Sequence, residues 1–242
     1  MYHRSWASLS PKEQADYAEE MAVFAAMVDR MDRNIGRVLK QVKEMGEEEN
    51  TLIMFFSDNG SCPYDFNRSF EIPPGPAEGY RSLSAPWAAV GNTPFRYFKQ
   101  FGHRGGMTTH FLARWPKVIE AGSFSDKATH VVDLAPTMMN LARAKAPKDL
   151  SQPVTLDGLS FVNEFYGKNN NEREYLFGGF EGFYSYQEKD WKIVQLNGGS
   201  DWELYNLKND PFELNDLSQQ RPELRAQLLE KLNARQELPE VN

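Results

Sequence analysis

The sequence has little that would tie it to an oxidising compartment or to a bilayer. Its single cysteine, Cys62, excludes a disulfide framework within the chain but does not identify the compartment. No hydrophobic run approaches membrane-spanning length, and the first six residues lack the apolar core of a signal peptide. Internal repeats and low-complexity tracts are also absent. These absences predict a soluble, folded protein.

The chain also lacks an excess of basic residues. Its 27 Lys and Arg against 34 Asp and Glu give a net charge of −7. This balance argues against a general nucleic-acid binder and against a membrane-surface binder, although a local basic pocket remains compatible with it. At 242 residues, with 40% hydrophobic composition, the chain is long enough for one large domain or two smaller ones.

Five consecutive apolar residues, 52–56, end abruptly in Ser-Asp-Asn-Gly. Such a run predicts a strand buried on both faces, as in a parallel sheet. Ligands of open α/β sheets bind beyond the carboxyl ends of the strands. The carboxylate of Asp58 and the amide of Asn59 are hard oxygen donors suited to Ca²⁺ or Mg²⁺. The alternative is that these residues only form a turn.

The segments around this strand predict an α/β arrangement. Ser10-Pro11-Lys12-Glu13 is a strong helix start, and apolar residues then recur at helical spacing up to the stop signal at Gly46. Helix, short turn and apolar strand form an α/β unit. The proline-rich stretch from Ser61 to Phe95 predicts a long irregular segment, typical of a site wall or lid.

Four potential cations follow within nine residues, beside three glycines that let a ligand approach the backbone. They are Arg96, Lys99, His103 and Arg104. Such a cluster suits an oxyanion such as sulfate or phosphate. A basic surface loop is the alternative interpretation.

The texture changes after residue 148. Four short aromatic-rich segments between residues 174 and 206 predict an antiparallel meander, and an amphipathic helix opens at Arg221-Pro222-Glu223. We therefore expect two parts: residues 1–148 as an α/β domain and residues 149–242 as a small antiparallel sheet with a covering helix.

Several motifs occur together in the order and spacing of a known family, and the chain resembles the arylsulfatase-type sulfatases of the alkaline phosphatase-like superfamily. This resemblance implies an α/β fold with a partial central sheet and a smaller C-terminal sheet. The motifs are Ser57-Asp58-Asn59-Gly60, Asn92-Thr93-Pro94-Phe95-Arg96-Tyr97-Phe98-Lys99, Gly105-Gly106, Asp133-Leu134-Ala135-Pro136-Thr137, Leu156-Asp157-Gly158, Trp202-Glu203-Leu204-Tyr205-Asn206-Leu207 and Asp210-Pro211.

The resemblance implies roles at matching positions. Asp58 and Asn59 would be two ligands of a divalent metal, usually calcium, and Lys99 would contact the sulfate of a sulfated small molecule or carbohydrate. His103 lies four residues from Lys99 and is a further candidate for approaching the sulfate. We expect His110 and His130 to be structural.

The departures from the family are as informative as the matches. The nucleophile of the family is a formylglycine made from Cys or Ser in a C-x-[PA]-x-R motif, and Cys62 has no such context. The upstream Asp-Asp pair that completes the metal site is also absent. The chain therefore looks like the C-terminal portion of a sulfatase, with an incomplete metal site, and we expect it to be inactive alone.

Two other functions remain open at this point. One is a phosphatase or phosphodiesterase of the same superfamily, which would usually use two metals with more His and Asp ligands. The other is a non-catalytic fragment or binding module that keeps the fold. Family members are commonly periplasmic, extracellular or lysosomal, but the residues of this chain determine neither its compartment nor its oligomeric state.

Overall fold

The computed structural model describes residues 4–64, 72–79, 83–145, 156–168, 173–180, 182–196 and 201–236; the expected domain boundary at 148–149 lies outside them. Among the described residues, no helix combines the length and the apolar character needed to cross a bilayer. The helices and strands are α1 (Pro11–Glu44), β1 (Ile53–Phe56), α2 (Ala85–Gly91), α3 (Arg104–Met107), β2 (Phe111–Arg114), α4 (Leu134–Ala142), α5 (Val162–Phe165), β3 (Leu176–Phe180), β4 (Phe183–Glu188), β5 (Trp191–Gln195), β6 (Trp202–Asn206) and α6 (Pro222–Gln236).

Helix α1 begins where the sequence predicts. Ser10 Oγ accepts a hydrogen bond from the backbone N–H of Glu13, and the Glu13 carboxylate accepts one from the backbone N–H of Ser10 at 2.8 Å. This reciprocal pairing satisfies two backbone donors that the first helical turn leaves without partners. The helix ends at Glu44, two residues before Gly46, whose φ of +76° lies in the left-handed region. The predicted helix is therefore confirmed.

Only the N-terminal part of α1 packs closely on the rest of the described chain. Glu20 is buried and accepts a hydrogen bond from the backbone of Ser84, and Trp87 Nε1 donates to the Tyr17 carbonyl at 2.9 Å. Further along the helix, the side chains of Met27 and Val38 are 62% and 63% exposed. The later turns thus present apolar side chains that no described residue covers.

The prediction that β1 is buried on both faces of a parallel sheet is wrong. Among the described residues β1 pairs with β2 alone, in an antiparallel ladder that sets Ile53 opposite Arg114 and Phe56 opposite Phe111. Phe55 is 45% exposed and Phe56 37%. An apolar run shows that a strand is suited to burial, but it specifies neither the direction of the neighbouring strand nor what covers its faces.

The stretch from Ser61 to Phe95 is less irregular than predicted. It contains α2, and Pro86 lies in the first turn of that helix, where a missing N–H costs no hydrogen bond. Proline at this position starts a helix, whereas the proline content of the whole stretch predicted an irregular segment. Residues 65–71 and 80–82 of this stretch lie outside the described part of the chain.

The C-terminal meander and its covering helix are confirmed. Strands β3 to β6 pair antiparallel in sequence order, and α6 packs its leucine face on β4 and β5. The core of this region is formed by Tyr186, Ile193, Leu204, Leu228 and Leu232, of which three are completely buried.

The motif around Asp133 is structural. Asp133 is 2% exposed, and its carboxylate accepts hydrogen bonds from the backbone of His130 at 2.8 Å and of Leu159 at 2.7 Å. Thr137 Oγ1, one turn further along α4, accepts from the backbone of Phe161 at 3.0 Å. These bonds join the segment around Gly158 to α4, and His130 takes part through its backbone, as expected of a structural residue.

Truncation of the fully buried Ile193 to alanine should lower the free energy of unfolding by about 3 kcal/mol, because the lost methylenes leave a cavity in the C-terminal core. Leu112→Ala is the matched control: Leu112 is also in a strand but is 62% exposed, so its truncation should change stability by less than about 0.5 kcal/mol. Urea unfolding followed by circular dichroism measures both. Equal losses in the two variants would contradict this description of the core.

Candidate active site

The residues after β1 meet the Gly105–Gly106 pair through backbone contacts. The N–H of Gly60 donates to the carbonyl of Gly106 at 2.9 Å, and a Cβ built on Gly60 would lie 1.8 Å from the carbonyl oxygen of Gly105. A Cβ on Gly105 would lie 2.2 Å from the carbonyl oxygen of Arg96. Only glycine permits such approaches, so these positions join three backbone segments at the end of the strand.

Residues 96–106, which we call the Lys99 loop, are bonded to the segment that carries the predicted metal ligands. The backbone N–H of Lys99 donates to the Ser61 carbonyl at 3.0 Å, two residues beyond Asn59. Asn92 supports both segments: its Oδ1 accepts from the Ser61 N–H at 3.1 Å and its Nδ2 donates to the Tyr97 carbonyl at 3.0 Å. The fold thus brings the backbone of the two predicted site segments together.

The Lys99 loop holds two non-glycine residues in the left-handed region. Tyr97 has a φ of +63° and Gln100 a φ of +86°, and they flank Phe98 and Lys99. Such conformations cost about 1–3 kcal/mol each and persist where the surrounding structure enforces them. Here the N–H of Gly105 closes the base of the loop by donating to the Arg96 carbonyl at 2.9 Å. Strain of this kind beside a candidate site supports a functional role for the loop.

Asp58 and Asn59 supply donors for one side of a cation site. Asp58 is exposed, and its carboxylate Oδ1 accepts a hydrogen bond from Asn59 Nδ2 at 3.0 Å. The turn is held by Ser57, whose hydroxyl donates to the Asn59 carbonyl at 2.8 Å and whose own carbonyl accepts from the Thr109 hydroxyl at 2.7 Å. Carboxylate and amide oxygens fit a hard divalent cation, but Ca²⁺ takes six to eight oxygens. Within the described ranges no group of three or more His, Cys, Asp or Glu side chains could hold a metal.

The four predicted cations do not act as one cluster. Arg96 donates to the Tyr205 hydroxyl at 2.8 Å, and Arg104 donates to the Pro211 carbonyl at the same distance. His103 is completely buried, with its Nε2 2.5 Å from a carboxylate oxygen of Glu203 on β6. The half-buried Lys99 differs from the other three, because its ammonium forms no hydrogen bond or ion pair with any described residue. It is therefore the cation of this group that is left to meet an anion.

The burial of His103 favours a packing role. Its ring lies 4.5 Å from that of Tyr97, centroid to centroid, and its Nδ1 has no partner within the described part of the chain. Burial raises the pKa of Glu203, but the hydrogen bonds from His103 and Tyr205 and the nearby guanidinium of Arg96 together leave that pKa below its ordinary value. The approach of His103 to a sulfate stays a prediction.

Sequence reasoning missed a buried ion pair behind the loop. Lys192 Nζ on β5 lies 2.7 Å from Glu213 Oε1, and the two side chains are 4% and 0% exposed. The other Glu213 carboxylate oxygen accepts from the backbone N–H of Arg104 at 2.8 Å. The signal available in the sequence was a lysine between two apolar residues of a predicted strand, Trp191 and Ile193. Its partner, 21 residues away, has no local signature.

Gly105→Ala should destabilise the protein by about 2 kcal/mol, because the added Cβ would meet the backbone oxygens of Arg96 and Tyr97 at 2.2 and 2.3 Å. Gly36→Ala is the control. Gly36 lies within α1 with nothing within 4 Å of its added Cβ, so alanine there should stabilise the protein by about 0.5–1 kcal/mol. Urea unfolding measures both, and a neutral or stabilising Gly105→Ala would contradict the backbone contact.

Comparison with known proteins shows which family the chain belongs to. A family model named Sulfatase matches residues 2–144, and one named N-sulphoglucosamine sulphohydrolase, C-terminal, matches residues 94–238. An uncharacterized sulfatase of Schizosaccharomyces pombe is 29% identical over 251 residues, covering 94% of this chain and 45% of the relative. An N-acetylglucosamine-6-O-sulfatase of Bacteroides thetaiotaomicron is 25% identical over 214 residues, covering 83% of this chain and 32% of the relative.

Solved structures share the fold. A protein in complex with its substrate D-glucosamine-2-N,6-O-disulfate has a TM-score of 0.61 and 24% identity, covering 86% of this chain and 38% of that one. The mixed α/β architecture of the described residues corresponds to part of the alkaline phosphatase-like fold of these structures. The chain spans less than half the length of these relatives. Because the Sulfatase model covers residues 2–144, more than half of the sequence, this chain belongs to the sulfatase family.

Proposed function

We propose that this chain forms the sulfate-binding side and part of the metal-binding side of an active site that hydrolyses sulfate esters. Membership of the sulfatase family supports the reaction class. The observation that carries the assignment of residues is the hydrogen bond from Lys99 N to Ser61 O at 3.0 Å. It joins the Lys99 loop to the segment that begins with Asp58 and Asn59.

In this proposal Lys99 holds the sulfate group. A lysine ammonium is a compact cation with three donors, well matched to the oxygens of a tetrahedral anion. The strained, closed loop holds its backbone in place before substrate arrives, so little ordering is needed on binding. A fixed cation beside the transferred group would also offset negative charge that develops during ester cleavage.

Asp58 and Asn59 would contribute oxygens to a bound Ca²⁺ or Mg²⁺. Such an ion would supply a second positive charge that polarises the sulfate oxygens. The exposed Asp58 carboxylate is accessible to a cation. Rotation of the Asn59 amide, whose Nδ2 now donates to Asp58, would present its oxygen beside that carboxylate. The remaining ligands must come from residues other than these two.

The nucleophile would come from a polypeptide segment that is not in this sequence. Cys62 does not lie in a C-x-[PA]-x-R motif, which the resemblance to sulfatases implies for the nucleophile. Two exposed apolar surfaces offer contact area for such a segment: the later turns of α1, with Met27 and Val38, and the β1–β2 ladder, with Phe55 and Leu112. Apolar surfaces left open in this way commonly mark interaction sites. We therefore infer that the chain is inactive alone.

The substrate class would be a sulfated small molecule or carbohydrate. Two similar proteins act on or bind amino sugars that carry sulfate, according to their names. The same tetrahedral charge occurs in phosphate, so a phosphatase or phosphodiesterase is the competing function. The relative affinity of the Lys99 site for sulfate and for phosphate distinguishes the two functions.

The isolated chain should bind inorganic sulfate weakly, and Lys99→Gln should reduce that affinity at least about tenfold, because one charge-assisted contact is worth about 1.5–3 kcal/mol. Lys117→Gln, which removes an exposed lysine from the same part of the chain, should leave the affinity within about twofold. Titration of lysine side-chain NMR signals measures both. Equal effects of the two substitutions would contradict the role of Lys99, and clearly tighter binding of phosphate would favour the competing function.

Calcium binding to the isolated chain should be millimolar or weaker, and an aryl sulfate should not be hydrolysed above background in its presence. Two adjacent ligands supply far fewer than six oxygens, and the chain lacks the nucleophile motif. Isothermal titration calorimetry and a chromogenic assay test these expectations. A micromolar calcium site would contradict the half-site, and turnover would contradict the missing nucleophile.

A further inference from the structure

Glu213 contacts both ends of the Lys99 loop. Its backbone carbonyl accepts from the Arg96 guanidinium at 2.5 Å, at the start of the loop. Its carboxylate Oε2 accepts from the backbone N–H of Arg104 at 2.8 Å, near the end. The remaining oxygen, Oε1, pairs with Lys192 on β5 at 2.7 Å. One residue therefore connects the base of the loop to the C-terminal sheet.

The conformation and burial of Glu213 both cost free energy that a purely structural role would not require. Glu213 has a φ of +57°, a conformation that glycine adopts at much lower cost. Its carboxylate and the Lys192 ammonium are removed from water, and an apolar pair of similar volume commonly stabilises a fold equally well or better. Burial lowers the pKa of Lys192 while Glu213 opposes that shift. The specific hydrogen-bond partners of Glu213 therefore explain why a glutamate stands at a position with a positive φ and a buried charge.

Its partners indicate the purpose. The second carboxylate oxygen meets a main-chain N–H in the Lys99 loop, one residue before the glycine that closes it. The guanidinium of Arg104 adds a parallel attachment, donating to the Pro211 carbonyl and lying 4.4 Å from the ring centre of Phe95. These contacts tie the loop to the turn after β6, while the ammonium group of Lys99 forms no hydrogen bond or ion pair with any described residue.

We propose that Glu213 is a positioning residue that holds the Lys99 loop in the conformation that presents the lysine amine to an anion. The role of the amine rests on the function proposed above. Glu213 acts through the Arg104 backbone and the Arg96 side chain, and it does not itself contact the anion.

The test uses the double variant Lys192→Met/Glu213→Leu, which removes both buried charges and keeps the side-chain volume. Replacing the ion pair by apolar side chains should be close to neutral for global stability, so the remaining loss should come from the Arg104 N–H, which is left without its acceptor. Hydrogen exchange of the Gly105 amide, which bonds Arg96 O, should nevertheless accelerate at least about tenfold relative to the amide of Ile193 in the sheet. The affinity of Lys99 for inorganic sulfate should fall at least about fivefold in the same variant.

Asp216→Asn is the matched control. Asp216 is another carboxylate of the C-terminal region, and it accepts from the backbone of Leu204 at 3.0 Å and of Ser218 at 2.8 Å without touching the Lys99 loop. It should lower global stability while leaving the relative exchange of Gly105 and the sulfate affinity unchanged. Should the double variant fail to fold, Glu213→Asp carries the test: it keeps the charge beside Lys192, but its shorter side chain cannot span both partners.

The two readouts separate the positioning role from the proposed function. Faster relative exchange at Gly105 without any sulfate response in the parent protein would support positioning and contradict anion binding by Lys99. A sulfate response in the parent, together with unchanged Gly105 exchange and unchanged affinity in the variant, would overturn the positioning role of Glu213 and leave the proposed function intact.

Discussion

The site depends on backbone segments that touch without intervening side chains. Gly60 lies against Gly105 and Gly106, and Gly105 lies against the carbonyl of Arg96, at distances that no Cβ would allow. This contact converts an apolar strand end and a distant loop into one surface. The Lys99–Ser61 hydrogen bond and the left-handed residues Tyr97 and Gln100 lie in the same loop. A methyl group in place of a hydrogen atom at Gly60 or Gly105 would collide with backbone oxygens and force these segments apart.

The C-terminal sheet holds the other side of the loop. Its core is apolar around Ile193 and Leu204, yet it accommodates the buried Lys192–Glu213 pair at the face that meets Arg104. An apolar contact there would be non-directional, whereas a carboxylate that accepts from one backbone N–H fixes a position. In the proposed function, the small sheet would contribute indirectly, by fixing the geometry of a loop in the preceding part of the chain.

Local patterns predicted the elements but not the long-range pairing. The capping box of α1, the meander and the leucine face of α6 are properties of neighbouring residues, and all were predicted correctly. Arg96, His103 and Arg104 looked equivalent to Lys99 because their partners Tyr205, Glu203 and Pro211 lie 100 or more residues away. The exposure of β1 was not predicted for a related reason. An apolar run indicates that a strand is suited to burial, but it does not show which other segments, if any, cover the strand.

Anomalous diffraction from crystals soaked in sodium selenate would test the central claim most directly, because selenate has the shape and charge of sulfate and contains a heavy atom. We predict a selenium peak within hydrogen-bonding reach of Lys99 Nζ, beside Asp58 and Asn59, that disappears in Lys99→Gln. A peak that persists in this variant, or selenate bound only at the arginines beside the loop, would contradict the account.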